Sequence, residues 1–497
     1  MNLKIKSWLR GSYIIIGVFC LGLLIRGVPE LLSGPYPVGY DLLAGYAPAM
    51  SALPETYPLV LFGWQTSPLT IFILWFFWRI SNIDLYLFLK VAGPVFYGLF
   101  VSSFYFLLSR GFNWSTKKSL IASALFLLQP AVLRSGWDQL RLMLGFVFLF
   151  LLLAETKLDT ISGAVKKPFI VLFLSFLIVL SQQLTAVIFF VVVIWQLIKS
   201  SEKHILAKAL LAILPSAVLF AVQIYWGYFF SSSFSPHFAP IQLPSGSGFF
   251  AFTNYFLSDP RFIGGDYFSV LAYVGNLSLY VVVPFLPLLF KGFFKDKVFF
   301  PMLGWLLFAS YSILVFPWFA LSFYWFWIFL LPIPLTVYAV QGLERLGLFN
   351  DVKKRQKMLA GVVLLGIVGF GYASSLISVG YPLAYSYMPP GLVKSCVAFD
   401  EIPDVQKAFD WTNMNLPINA TVVVPESYQG FAVMILREDL RIRVSPALMS
   451  LDEVGNLVKF EDYWSVFQLN ETESKANVSY TLLITFGQIG IFTHKNV

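Results

Sequence analysis

Apolar runs alternate with short polar connections from Tyr13 to Ser378, after which the pattern changes abruptly. Crossing a bilayer core takes about 20 apolar residues, fewer where a helix lies against protein. On that criterion about eleven spans are expected, at roughly 13–28, 84–108, 119–133, 140–154, 168–181, 184–198, 205–230, 268–290, 298–316, 318–341 and 358–378. The third to sixth are short. A further run, Ser67 to Ile80, is ambiguous: it either crosses or lies on the outer leaflet with its aromatic residues at the interface.

After Ser378 short strand and helix patterns take over. Val405 to Met414 reads as an amphipathic helix closed by Pro417, Ala420 to Val424 as a buried strand and Tyr428 to Leu436 as a short helix. Leu440 to Val444, Tyr480 to Phe486 and Ile489 to Thr493 read as further strands. Such alternation predicts a small α/β domain. It has no Gly-x-Gly-x-x-Gly, no P-loop and no nucleophile elbow. Sequons stand at Asn419, Asn470 and Asn477.

Composition confirms the class. The chain is 58% apolar and 12% charged, where a soluble globule carries about a quarter charged residues. The first run lacks a small-residue cleavage site, so no cleaved signal peptide is expected. Cys20 and Cys396 form neither a disulfide framework nor a metal pattern.

Charge orients the spans. Most lysines and arginines before residue 380 occupy every second connection: Lys4, Lys6 and Arg10; Arg110, Lys117 and Lys118; Lys157, Lys166 and Lys167; Lys199, Lys203 and Lys208; Lys291, Lys295 and Lys297; Arg345 to Lys357. Positive loops stay in the cytoplasm. The net charge of +8 is therefore topogenic and implies no nucleic acid. The expectation is a multi-pass cell-membrane protein with a cytoplasmic N-terminus, a membrane module over 1–379 and an extracytoplasmic α/β domain over 380–497. A spanning Ser67–Ile80 would turn Arg110, Lys117 and Lys118 outward, so the charge rule favours the interfacial reading.

Candidate chemistry then falls on the outer side. The first outer loop, 28–82, holds Glu30, the string Gly39-Tyr40-Asp41-Leu42-Leu43-Ala44-Gly45-Tyr46-Ala47-Pro48, and Glu55. A carboxylate among aromatic rings beside a bilayer suits general-base work on a hydroxyl, because partial desolvation raises its pKa. Tyr40 and Tyr46 offer stacking faces for a sugar ring. Equally, Asp41 could simply cap a helix beginning at Leu42.

Arg134, Asp138 and Arg141 follow one another at i, i+4 and i+7, one face if the segment is a single helix. Arginine matches phosphate oxygens with a planar fork of donors, so a lipid phosphate would explain the charges; an Asp–Arg pair closing an outer corner would explain them too. Lys90 could bind phosphate or snorkel to headgroups. The long loop 231–266 carries Asp259 and Arg261, the latter either closing over a phosphate or merely solvated. Gln182 could contact substrate hydroxyls or satisfy a tight turn. Histidine offers no metal site.

The loop string GYDLLAGYAP after a first span resembles the GT-C superfamily of membrane glycosyltransferases, and the tail segment Phe409 to Val424 (FDWTNMNLPINATVVV) is similar to the start of the outer domain in archaeal members. The resemblance implies a sugar donor linked to polyprenyl (dolichyl) phosphate, used at the outer face, with a glycan, lipid or protein as acceptor. It implies Asp41 as base and inversion at the anomeric carbon. No cofactor is required, though Asp41 with Glu55 could hold a divalent cation. An Asp-Glu pair is missing, since Leu42 follows Asp41, and so is a WWDYG-type signature; both absences favour transfer of a single sugar. The rival is a transporter or flippase for a polyprenyl-linked glycan, which predicts charges spread through the bilayer and discontinuous spans.

Overall fold

The apolar runs fold as helices, and proline, capping side chains and charged residues set their ends. The computed structural model describes residues 2–32, 37, 39, 42–47, 49–51, 68–199, 203–230, 250–251, most of 271–286, 299–315, 320–321, 324–345, 402–425, most of 428–445, 463–468, 480–487 and 489–494. The helices are α1 (Asn2–Leu32), α2 (Pro68–Ser81), α3 (Leu85–Phe106), α4 (Thr116–Leu127), α5 (Pro130–Asp138), α6 (Leu140–Glu155) and α7 (Thr160–Lys166). They continue as α8 (Pro168–Ser181), α9 (Gln183–Lys199), α10 (Lys203–Phe230), α11 (Phe299–Val315), α12 (Tyr324–Leu330), α13 (Pro332–Arg345) and α14 (Ile402–Asn415).

Four stretches among the described residues are long and apolar enough to cross a membrane: Ser12–Leu31, Leu85–Gly111, Ala207–Ile224 and Trp327–Arg345. The chain is a membrane protein. Helices α2, α8, α9 and α11 are apolar but shorter. The 14 residues of α2 extend about 21 Å, short of a core of about 30 Å. Thr70, Ile71 and Leu74 are buried while Phe72, Phe76, Phe77 and Ile80 are exposed. The expected span 358–378 and the sequons at Asn470 and Asn477 lie outside the described residues.

Three expectations change. The run 119–133 is not one straight helix: α4 and α5 meet at 65°. Gln129, preceding Pro130, is extended (φ −69°, ψ 130°), as the proline ring demands of its neighbour, and Pro130 then opens α5, where its missing N–H costs nothing. The span read at 318–341 begins as helix at Tyr324 and runs on to Arg345, after a two-residue bridge pairing Phe250–Ala251 with Ala320–Leu321. In the tail, a strand at Tyr463–Gln468 was not anticipated.

Packing explains the rest. α1 and α3 touch backbone to backbone: a Cβ on Gly22 would lie 3.0 Å from Gly98 Cα, and one on Gly98 would lie 2.8 Å from the Phe19 carbonyl oxygen. Small residues permit this approach between apolar helices. Asp84 starts α3, its carboxylate accepting from the N–H groups of Tyr86 (2.9 Å) and Leu87 (3.0 Å). Between α3, α4 and α6 the rings of Phe100, Phe104, Phe126, Phe146 and Phe150 pack with centroids 4.3–5.9 Å apart.

Ion pairs among the described residues of the bundle sort into its two ends. At one, Glu155 pairs with Arg110 (3.2 Å) and Lys167 (2.7 Å), and Lys118 pairs with Glu344 (2.9 Å) while lying 3.9 Å over the Trp114 ring. All three basic residues belong to connections that the charge pattern puts on one side. At the other end lie Arg26, Glu30 and Lys90. Along α3 and its extension to Gly111, Lys90 and Arg110 are about 30 Å apart, one bilayer core.

The tail is α14 on a five-stranded sheet. Its strands are β1 (Thr421–Pro425), β2 (Arg441–Ser445), β3 (Tyr463–Gln468), β4 (Tyr480–Phe486) and β5 (Ile489–His494), in the order β2-β1-β3-β5-β4. β1 runs parallel to β2 and β3, whereas β5 is antiparallel to β3 and β4. Helical backbone recurs at Phe431, Ala432 and Ile435, within the expected 428–436 helix. Tyr86, in the first turn of α3, packs on this core, which puts the tail at the Lys90 end.

Candidate functional site

The joint between α5 and α6 gathers the buried polar side chains. α4 advances about 18 Å from the Lys118 end before it breaks, and α5, tilted by 65°, adds about 6 Å more. Along the direction of α4 the joint thus lies about 24 Å from that end. Gln139, at φ −103° and ψ 50°, ends α5 and starts α6. Its N–H donates to the Ser135 carbonyl (2.8 Å), and its carbonyl accepts from Met143 N–H (3.0 Å). The backbone here is fixed on both sides.

Against α5 lies an ion-pair network. Arg26 is fully buried and Glu30 is 3% exposed; their side chains meet at 2.6 Å. Arg26 Nε donates to the carbonyl of Gly136 inside α5 (3.0 Å). Gly93 and Gly136 leave the room required, since a Cβ on Gly93 would lie 3.3 Å from an Arg26 nitrogen and one on Gly136 2.8 Å from the Tyr97 ring. The Tyr97 hydroxyl donates to the Leu127 carbonyl where α4 ends. Lys90 donates to the Glu30 carbonyl and lies 3.8 Å from its carboxylate. One carboxylate here faces two cations.

At the joint, the segment after Asp41 meets α6. Helical backbone begins at Leu42 and runs to Tyr46. The Tyr46 hydroxyl, buried, accepts from the Arg141 backbone N–H at 3.1 Å, and the Arg141 guanidinium lies 5.2 Å over the Tyr46 ring. Two regions far apart in sequence are brought together.

Several polar atoms here are buried with no hydrogen-bond partner among the described residues: Trp137 Nε1, both amide atoms of Gln139, and Arg141 Nε; so is Gln129 Oε1 at the other end of α5. Native interiors rarely leave such groups unmet. The Arg141 side chain has no ion pair among the described residues, its ring contact with Tyr46 apart.

The predicted site residues fall as follows. Arg134 is 7% exposed and lies 5.8 Å from the Trp137 ring centre on α5; Arg141 is on α6. The expectation that Arg134, Asp138 and Arg141 share one helical face is corrected, because the helix breaks at Gln139 between the second and the third. Lys90 turns inward to Glu30 rather than outward to headgroups. Gln182 sits between α8 and α9, its side-chain oxygen accepting from the Gln183 N–H (3.0 Å). Tyr40, Asp41, Glu55, Asp259 and Arg261 lie outside the described residues. No group of three or more His, Cys, Asp or Glu among the described residues could hold a metal ion.

Sequence reading passed over Gln129, Trp137 and Gln139, and did not connect Arg26 to Gly136. Pro130 inside an apolar run was the available signal for the break. No protein-family model matches the chain, and no curated protein matches it. Among solved structures, the crystal structure of ArnT from Cupriavidus metallidurans in the apo state is similar to it at 13% identity, covering 99% of this chain and 98% of that chain, with a TM-score of 0.49.

Proposed function

We propose that the chain is a membrane glycosyltransferase that moves a single sugar from a polyprenyl (dolichyl) phosphate to an acceptor hydroxyl at the outer membrane face. The observation that carries this reading is Arg141: a guanidinium without an ion pair among the described residues, resting on Tyr46 from the segment that follows Asp41. A phosphate would occupy its donors. Asp41, the proposed base, directly precedes that segment in the sequence. The resemblance of GYDLLAGYAP to GT-C loops supports the same assignment.

In this mechanism Asp41 takes the proton of the acceptor hydroxyl as its oxygen attacks the anomeric carbon. The bond from that carbon to the phosphate oxygen breaks on the opposite face, giving inversion. The electron pair leaves with the lipid phosphate, where Arg134 and Arg141 stabilise the charge. The products are a glycosylated acceptor, polyprenyl phosphate and a proton released from Asp41. The step as written needs no metal. Lys90, tied to Glu30, braces the site, and Arg261, next to Asp259 in the loop 231–266, is a further candidate for the phosphate.

The transporter reading gains one observation, the α4–α5 break, since discontinuous helices are the mark of transport sites. Those sites lie at the midplane, however, and this joint is about 24 Å from the Lys118 end. Asp41→Asn tests the proposal: transfer should fall roughly 10²–10⁴-fold, as for loss of a general base, with dolichyl-phosphate binding retained. Near-normal transfer would return Asp41 to helix capping.

A further inference from the structure

We propose that Gln139 reads the sugar of the lipid-linked donor, forming the hydroxyl-recognition element beside the phosphate site at Arg141; this rests on the function proposed above. Gln139 is 6% exposed, yet neither its side-chain oxygen nor its nitrogen has a hydrogen-bond partner among the described residues. Its backbone is held on both sides, by Ser135 and Met143, so the amide is presented from a fixed point. Two residues to one side, Trp137 is 1% exposed with an unmet indole N–H; two residues to the other stands Arg141 with its unmet Nε.

The chemistry of these three groups is complementary to one kind of ligand end. A carboxamide offers two donors and an acceptor, which suits neighbouring hydroxyls, each able to give and to take a hydrogen bond. The indole N–H adds a donor for a further oxygen. Being neutral, neither group contributes much to holding a phosphate, which is the task of the guanidinium. Gln139 and Arg141 have Cα atoms at most about 7 Å apart, the scale of a glycosyl phosphate, in which sugar hydroxyls and phosphate are adjacent. A buried amide left unmet destabilises the empty protein; filling it with substrate hydroxyls turns that into discrimination, because a ligand lacking them leaves the amide unmet.

The test uses the full-length protein in nanodiscs, with three probes: dolichyl phosphate, dolichyl phosphate mannose and dolichyl phosphate glucose. Wild-type protein should bind one sugar-bearing lipid at least about tenfold more tightly than bare dolichyl phosphate. Gln139→Met, close in length and volume, should bind bare dolichyl phosphate as wild type does and lose the preference. Its melting temperature should hold or rise, because an unmet polar group has been replaced by an apolar one. Wild-type protein with no preference, or a variant that keeps it, would overturn the inference while leaving the phosphate site standing. So would a variant that fails to fold or melts earlier, since the amide would then be holding structure. Wild-type protein that binds none of the three lipids would overturn the function proposed above, and this inference with it.

Discussion

Arg26 and Glu30 decide whether the joint between α5 and α6 can exist. Both are buried, they meet at 2.6 Å, and Arg26 also holds the Gly136 carbonyl. Removing one partner of a buried pair leaves an uncompensated charge, which costs about 3–5 kcal/mol. Glu30→Gln should therefore lower the melting temperature markedly, and donor binding with it. Arg141 is the opposite case. Arg141→Gln should weaken dolichyl-phosphate binding by about 1.5–3 kcal/mol, the worth of a hydrogen bond to a charged group, while leaving the melting temperature nearly unchanged. If instead stability falls and affinity survives, Arg141 is a structural residue. At this scale the sequence was legible only where charge stood out. Arg134 and Arg141 interrupt an apolar stretch and were visible. The pairing of Arg26 with Glu30 was not read, and the carbonyl that Arg26 also holds lies 110 residues away. Gln139 was invisible because a glutamine near a predicted span end is ordinary; only its burial without partners marks it.

Among elements, the contact of α1 with α3 and the break between α4 and α5 place everything else. Gly98 faces the Phe19 carbonyl so closely that an added Cβ, at 2.8 Å, must push the helices apart. Gly98→Ala should destabilise by about 1–3 kcal/mol, in the range of overpacked cores, and thermal melting of the purified variant measures it. An unchanged melting temperature would mean that the helices are less closely packed than described. Hydropathy does not show the bend within 119–133 because it averages over Pro130 and cannot see that Gln129 must turn extended. The strand at Tyr463–Gln468 was missed for a related reason. It is paired on both edges and buries Ser465 and Val466 in succession, so the period-2 alternation of a one-sided strand is lost. Expected strands elsewhere in the tail fall within one residue of their observed bounds, and the first helix begins three residues earlier than expected, at Ile402.

For the whole molecule, two independent sources agree on which connections share an end. The charge pattern groups the loops of Arg110, Lys118, Lys167 and Arg345; the ion pairs of Glu155 with Arg110 and Lys167, and of Lys118 with Glu344 beside Arg345, put those loops together. Tyr86 brings the tail to the opposite end. Reporter fusions should therefore find Val497 outside and the Arg345–Lys357 loop inside; a cytoplasmic tail would reverse the side of every proposed group. The central claim is chemical, and one measurement reaches it most directly. Purified protein is reconstituted in liposomes with dolichyl phosphate mannose or glucose, a membrane extract is supplied as acceptor, and the lipids are followed by mass spectrometry. The account predicts conversion of one of these donors to dolichyl phosphate by wild-type protein and not by Asp41→Asn. Donors that stay intact while their sugars become accessible on the other leaflet would contradict it and make the protein a transporter.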